Sequence, residues 1–185
     1  MTFDDTTSTG TGNIISQTWD FGDGNIAAGP SATNTFVGVG EYIVSLTETI
    51  EEYYISAASL TASNSSCYCG DVEEIDFPFI GCTAAPEPYL IINAGNGDIT
   101  LGNPSSNTTV NWTGIDIPIV GTGVAIQAWE EDNGLLGSPD DPLGSDILNF
   151  NQDPGIGTQN FQTNCANGSI TLSKRVKATN TYTDT

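Results

Sequence analysis

Trp19-Asp20-Phe21-Gly22-Asp23-Gly24, followed downstream by Gly40-Glu41-Tyr42-Ile43-Val44-Ser45-Leu46, is the stretch on which the fold turns. Asp23-Gly24 has the chemistry of a tight hairpin turn, because Gly tolerates positive φ and Asp tolerates it better than most residues. Trp19 and Phe21 lead into that turn with period-two spacing. In the second run Tyr42, Val44 and Leu46 alternate with Glu41, Ile43 and Ser45, which reads as a strand whose first set faces a core. Hydrophobic strands joined by a Gly-rich turn describe a small β-sandwich, and nothing in these runs has the chemistry of a catalytic site.

The hexapeptide, the later strand and the spacing between them resemble the polycystic kidney disease (PKD) domain, an immunoglobulin-like fold of extracellular proteins, over roughly residues 1–63. Where that family has a His-x-Tyr step, this chain has Asn34-Thr35-Phe36, which keeps the aromatic and lacks the histidine. The family also places a strand before the position of Thr2-Phe3-Asp4. The resemblance therefore implies a domain whose first strand is missing, and a chain that is a fragment of a longer protein.

Composition sets the class. Charged residues make up 14% of the 185-residue chain, against about 25% in a typical soluble protein. Gly, Thr, Asn and Ser are abundant, and no window sustains apolar positions at helical spacing, so an all-β fold is expected. The 37% apolar content can supply cores for two small domains. Asp and Glu total 23 against 3 Lys and Arg, with no His and a formal charge of −20. Nucleic acid is excluded as a partner, because neutralising phosphates requires clustered Lys and Arg. The acidity either keeps the protein soluble or gathers carboxylates around divalent cations. No stretch approaches the roughly 20 apolar residues of a membrane-spanning helix. Cys67, Cys69, Cys82 and Cys165 are an even set that favours disulfides over zinc, since there is neither His nor a C-x-x-C pair; the pairing is left open.

Along the chain, Glu51-Glu52-Tyr53-Tyr54-Ile55 reads as a turn and the start of a closing strand. The small polar run from Ala57 to Ser66 has the composition of a linker. The expected boundary lies near Ser63 to Ser66, separating a PKD-like sandwich over 1–64 from a second sandwich over 65–185. Strands of that second domain are read at Tyr89-Leu90-Ile91-Ile92, at Ile99 to Leu101 after an Asn96-Gly97-Asp98 turn, at Thr108 to Trp112, at Ile115 to Ile119, at Val124 to Trp129 and at Gly168 to Ser173.

Chemistry, if present, belongs to two acidic runs. The Val124–Trp129 strand leads into Glu130-Glu131-Asp132, and Asp140-Asp141-Pro142-Leu143-Gly144 follows after a Gly-rich stretch. Such carboxylates are either a solvated acidic loop or the hard oxygen donors that calcium takes in sets of six to eight. This half resembles the calcium- and phospholipid-binding C-two domain family, in which a strand ends in an acidic step and its loop closes with Asp-x-x-Gly. Glu87-Pro88-Tyr89-Leu90-Ile91 stands where that family has Asp-Pro-Tyr before a strand, and Asn111-Trp112-Thr113-Gly114-Ile115 echoes its Asn-Pro-x-Trp step. The resemblance spans roughly residues 70–175 and implies a calcium site drawn from Asp76, Glu87, Glu130, Asp132, Asp140 and Asp141, with Asp71 an alternative to Asp76. Glu87 and Glu130 carry one methylene more than the family's usual Asp, which leaves the number and affinity of ions open. Docking on an anionic membrane is opposed by the charge, although Leu135 and Leu136 stand at the loop tip, either to insert or to fold back.

No enzyme is expected: without His there is no ordinary Ser-His or Cys-His pair, and there is no phosphate-binding loop with its Lys. A Thr-rich β composition also suits carbohydrate-binding modules, but these need exposed aromatics, and Trp19, Trp112 and Trp129 all read as core. The expected function is a calcium-stabilised structural or adhesive module of a secreted or cell-surface bacterial protein, an adhesin or filament, acting through protein partners or self-assembly. The alternative is a glycan- or lipid-binding accessory module of a larger secreted enzyme.

Overall fold

The computed structural model describes residues 1–6, 12–63, 65–67, 85–102, 107–131, 140–150 and 154–184. The chain is all-β, with several antiparallel sheets; among the described residues its one helical element is a 3-10 turn at Ser65–Cys67. It divides into two compact units: Met1–Tyr53 with Lys174–Thr185, and Tyr54–Ser173.

In the first unit β1 (Thr2–Asp4) pairs with β4 (Ser31–Thr33), while β2 (Asn13–Asp20) lies between β3 (Ile26–Ala28) and the start of β5 (Val44–Ala62). The alternation read in the sequence holds. Val44 and Leu46 are buried together with Trp19, Phe21 and Ala32, and Phe3, Ala27 and Phe36 pack against them. The Phe3 ring lies 5.9 Å from Trp19 and 5.3 Å from Phe21, and Tyr42 stacks on Phe36 at 4.4 Å. Such rings at these separations add to the area they bury.

Glu51-Glu52 is neither a turn nor a strand start, because β5 runs through it without a break. The reason is charge pairing with β12 (Ala166–Asp184). Lys174 Nζ sits 3.0 Å from Glu51, and Arg175 and Lys177 approach Glu52 at 2.8 and 3.5 Å. Nor is Ala57 to Ala62 a linker: it is strand, with Ala58, Leu60 and Ala62 buried. Small residues serve close packing there. Ser56 and Ser59 meet Ser173 and Ser169 at 2.8 Å, and a Cβ at Gly168 would collide with Phe161 and with the Ser59 carbonyl. The units accordingly divide between Tyr53 and Tyr54 rather than near Ser63 to Ser66, and the last residues of the chain return to the first unit.

The second unit has one sheet in the order β10 (Asp141–Asn149), β9 (Gly123–Glu130), β6 (Pro88–Asn93), β7 (Asp98–Leu101). The other contains β11 (Gly157–Gln162), the early part of β12, the later part of β5, and β8 (Thr109–Pro118). Leu90, Ile92, Val124, Ile126, Ala128 and Leu143 of the first sheet are fully buried or nearly so, as are Ile55, Leu60, Ile170 and Leu172 of the second. β8 joins into one strand the two runs read separately at Thr108 and Ile115, and β11 was not expected from the sequence. Asp141 begins β10 instead of lying in a loop, because a bulge between Pro142 and Gly144 turns Leu143 into the core. Cys67 is bonded to Cys165, with Cα atoms 6.1 Å apart. Cys69 and Cys82 lie outside the described residues.

Candidate functional site

Four acidic residues of the second unit, Glu87, Glu130, Asp140 and Asp141, lie at one end of the β10-β9-β6-β7 sheet. Glu130 is the last residue of β9, and its neighbours across the ladder are Pro88 of β6 and Asp141 of β10. Directly opposed residues share a face, so Glu130 and Asp141 both lie on the side that carries Ala128 and Ile126. Glu130 is only 4% exposed. Its Oε1 accepts the backbone N–H of Glu87 at 3.1 Å, and the N–H of Glu131 donates to the Glu87 carbonyl at the same distance. Glu87 is thus fastened to the end of β9 through its main chain, and its side chain is half-buried.

On the opposite face Tyr89 donates its hydroxyl to Asp140 Oδ2 at 2.6 Å. Burial raises the Tyr89 phenol well above its ordinary range, and the hydrogen bond to Asp140 with the charges of Asp140 and Glu131 adds to the shift. The Tyr89 hydrogen bond fixes the orientation of the Asp140 carboxylate.

Glu87, Glu130, Asp140 and Asp141 therefore lie at one end of the sheet, with Glu130 and Asp141 on one face and Asp140 on the other, whereas Asp76 and Asp132 lie outside the described residues, as do Asp71, Leu135 and Leu136. The donors are hard oxygens, which suit calcium better than a soft metal. Among the described residues no group of three or more Asp, Glu, Cys or His is gathered closely enough to hold an ion. All three basic residues belong to the first unit, so no Lys or Arg lies within 54–173.

Three features escaped the sequence reading. Tyr89 was read as a strand residue, not as the partner of Asp140. Trp129 is half-buried rather than core: with Ala125 and Gln127 it points away from Val124, Ile126 and Ala128, and its indole N–H reaches Gln127 Oε1 at 3.3 Å. The amide Gln127, two residues away on the same face, was the available signal. Trp112 is half-buried too and donates to the Gly102 carbonyl at 2.8 Å, so of the three tryptophans only Trp19 is core.

No curated protein matches the sequence. Among solved structures, the Drosophila C2-DSL-EGF1 structure is similar with a TM-score of 0.48 and 10% identity, covering 67% of each chain, a likeness too slight to define the fold. A family model of the PKD domain matches residues 1–53, which supports the resemblance carried by Trp19 to Gly24 and by Val44 to Leu46.

Proposed function

We propose that the chain is a structural and adhesive module of a secreted or cell-surface protein, of the adhesin or filament kind, and that calcium stiffens its second unit. The PKD match, a module type of extracellular structural proteins, and the disulfide between Cys67 and Cys165 support the setting. Among the described residues no helix is long and apolar enough to cross a membrane. Its partners are other protein modules, or further copies of itself in a larger surface structure.

The observation that carries the metal reading is the acidic sheet end with no basic residue in its unit: Glu130 buried at the end of β9, Asp141 beside it, Glu87 tied to it and Asp140 oriented by Tyr89. Asp76 and Asp132 are the ligands this proposal adds from outside the described residues. The bound ion supplies charge neutralisation and cross-linking, and no reaction is assigned to it. Calorimetric titration should detect calcium with a dissociation constant of about 0.1–1 mM, the range of extracellular modules. The double substitution Asp140→Asn with Asp141→Asn should abolish that heat; equal binding by wild type and variant would overturn the assignment.

A further inference from the structure

The face of the β10-β9-β6-β7 sheet that turns away from the core has a composition unlike a merely solvated surface. In register across three strands stand Tyr89, Trp129 and Pro142, since Trp129 is paired with Tyr89 on one side and with Pro142 on the other. Below that row a cleft of about 350 Å³ runs along β9 and β10, and its wall includes Trp129, Gln127, Pro142, Ser145 and Asp146. After Pro142, which lines it, the ladder skips a residue and Leu143 turns inward.

We propose that this cleft binds a neutral glycan. An aromatic ring has a negative face, and the C–H groups on one side of a pyranose present a weakly positive, apolar surface of matching shape. Trp129 supplies that ring. A sugar stacked there also needs donors and acceptors at its rim, which the Gln127 amide and the Ser145 hydroxyl, paired across the ladder on that face, provide. Asp146, paired with Ile126, turns to the other face, where its two oxygens accept the N–H groups of Ile147 at 2.8 Å and Gln162 at 3.2 Å. Charge decides the class of sugar. With Asp140 hydrogen-bonded to Tyr89 of the aromatic row and no Lys or Arg within 54–173, sulfated and carboxylated glycans are repelled and neutral ones are not.

This inference deepens the adhesive reading and rests on it, and it does not depend on calcium. An array of neutral, sulfated and carboxylated glycans should be probed with the intact chain in calcium-containing buffer, followed by calorimetric titration of the strongest neutral binder. Binding confined to neutral glycans is expected. Trp129→Ala should weaken it by about tenfold or more, on the scale of one aromatic contact, Gln127→Ala should also weaken it, and Trp112→Ala, on the other sheet, should leave it unchanged. Should Trp129→Ala fail to fold, as read by circular dichroism, Gln127→Ala decides. Absence of binding to every neutral glycan, preference for anionic ones, binding only to protein or lipid, or an unaltered affinity in the folded variants would overturn the proposal. Calcium titration reads the metal without a sugar, so the two readings fail separately.

Discussion

Asn34 stands where the PKD family has a histidine, and its role in the turn is plain from its partners. Its side chain donates to Asp23 Oδ2 at 2.7 Å and accepts from Asn25 Nδ2 at 3.1 Å, while Asn25 also donates to Asp23 through its backbone and its side chain. These donors, Asn34 first, hold the Asp23 carboxyl below its ordinary value. A depressed folded-state pKa means that the unfolded chain binds the proton more readily, so this contribution is present above the ordinary Asp value and is lost as pH falls through the folded one. Denaturant midpoints measured across that acidic window should fall less steeply for Asn34→Ala than for wild type. The next two glycines separate two costs. Gly22 and Gly24 both have positive φ, and a left-handed conformation costs other residues about 1–2 kcal/mol. A Cβ at Gly22 would also meet the Ile43 carbonyl, whereas one at Gly24 would meet nothing within 4 Å. Urea unfolding should therefore show Gly22→Ala to be the more destabilising of the two. That Asp23-Gly24 turns was legible in the sequence; that Asp23 is also a hydrogen-bond hub was not, because two of the three bonds its carboxylate accepts from Asn25 and Asn34 start from side chains whose direction depends on the folded loop.

Among the elements, β5 and β12 are where local reading failed, and the failures share a cause. Consecutive acids suggest a turn, and a run of small polar residues suggests a linker, only while their partners are out of sight. Glu51 and Glu52 are matched by Lys174, Arg175 and Lys177, more than a hundred residues away in sequence. Arg175 places Nε and Nη2 on Glu52 Oε1 at 2.9 and 2.8 Å, and Glu52 is 8% exposed. Arg175→Ala should thus cost about 2 kcal/mol, in the range of hydrogen bonds to a charged group. Lys174→Ala, which removes a more exposed pair, should cost less than about 1 kcal/mol. Chemical denaturation of both variants checks the order. The strands at Tyr89, Val124 and Gly168 were legible because each alternates between a buried and an outward set. Even there the outward set was misjudged: Trp129 looked like core from its size, and its parity with Gln127 carried the better information.

For the molecule as a whole, all-β architecture followed from composition, since a chain with three basic residues and abundant Gly, Thr and Asn offers little to helices. The meeting of acids at one sheet end was legible only in part. Glu130 and Asp141 are neighbours through strand pairing, but the Tyr89–Asp140 bond and the fastening of Glu87 to Glu130 follow from three-dimensional geometry. The disulfide pairing was likewise open among three combinations. Cys67–Cys165 spans a sequence separation of 98, and a loop of that size constrains the unfolded chain by about 4–5 kcal/mol in the chain-entropy account. Reduction should consequently lower the melting temperature of the second unit well below that of the oxidised protein. The central claim, a calcium-stiffened extracellular module, is tested most directly by thermal melting in millimolar calcium and in chelator. With free calcium at about ten times its dissociation constant, linkage contributes about 1.4 kcal/mol, a rise of about 3–6 °C for a domain of this size. The account expects that rise in wild type and its absence in the Asp140→Asn, Asp141→Asn variant; identical melting of wild type in calcium and in chelator would contradict it.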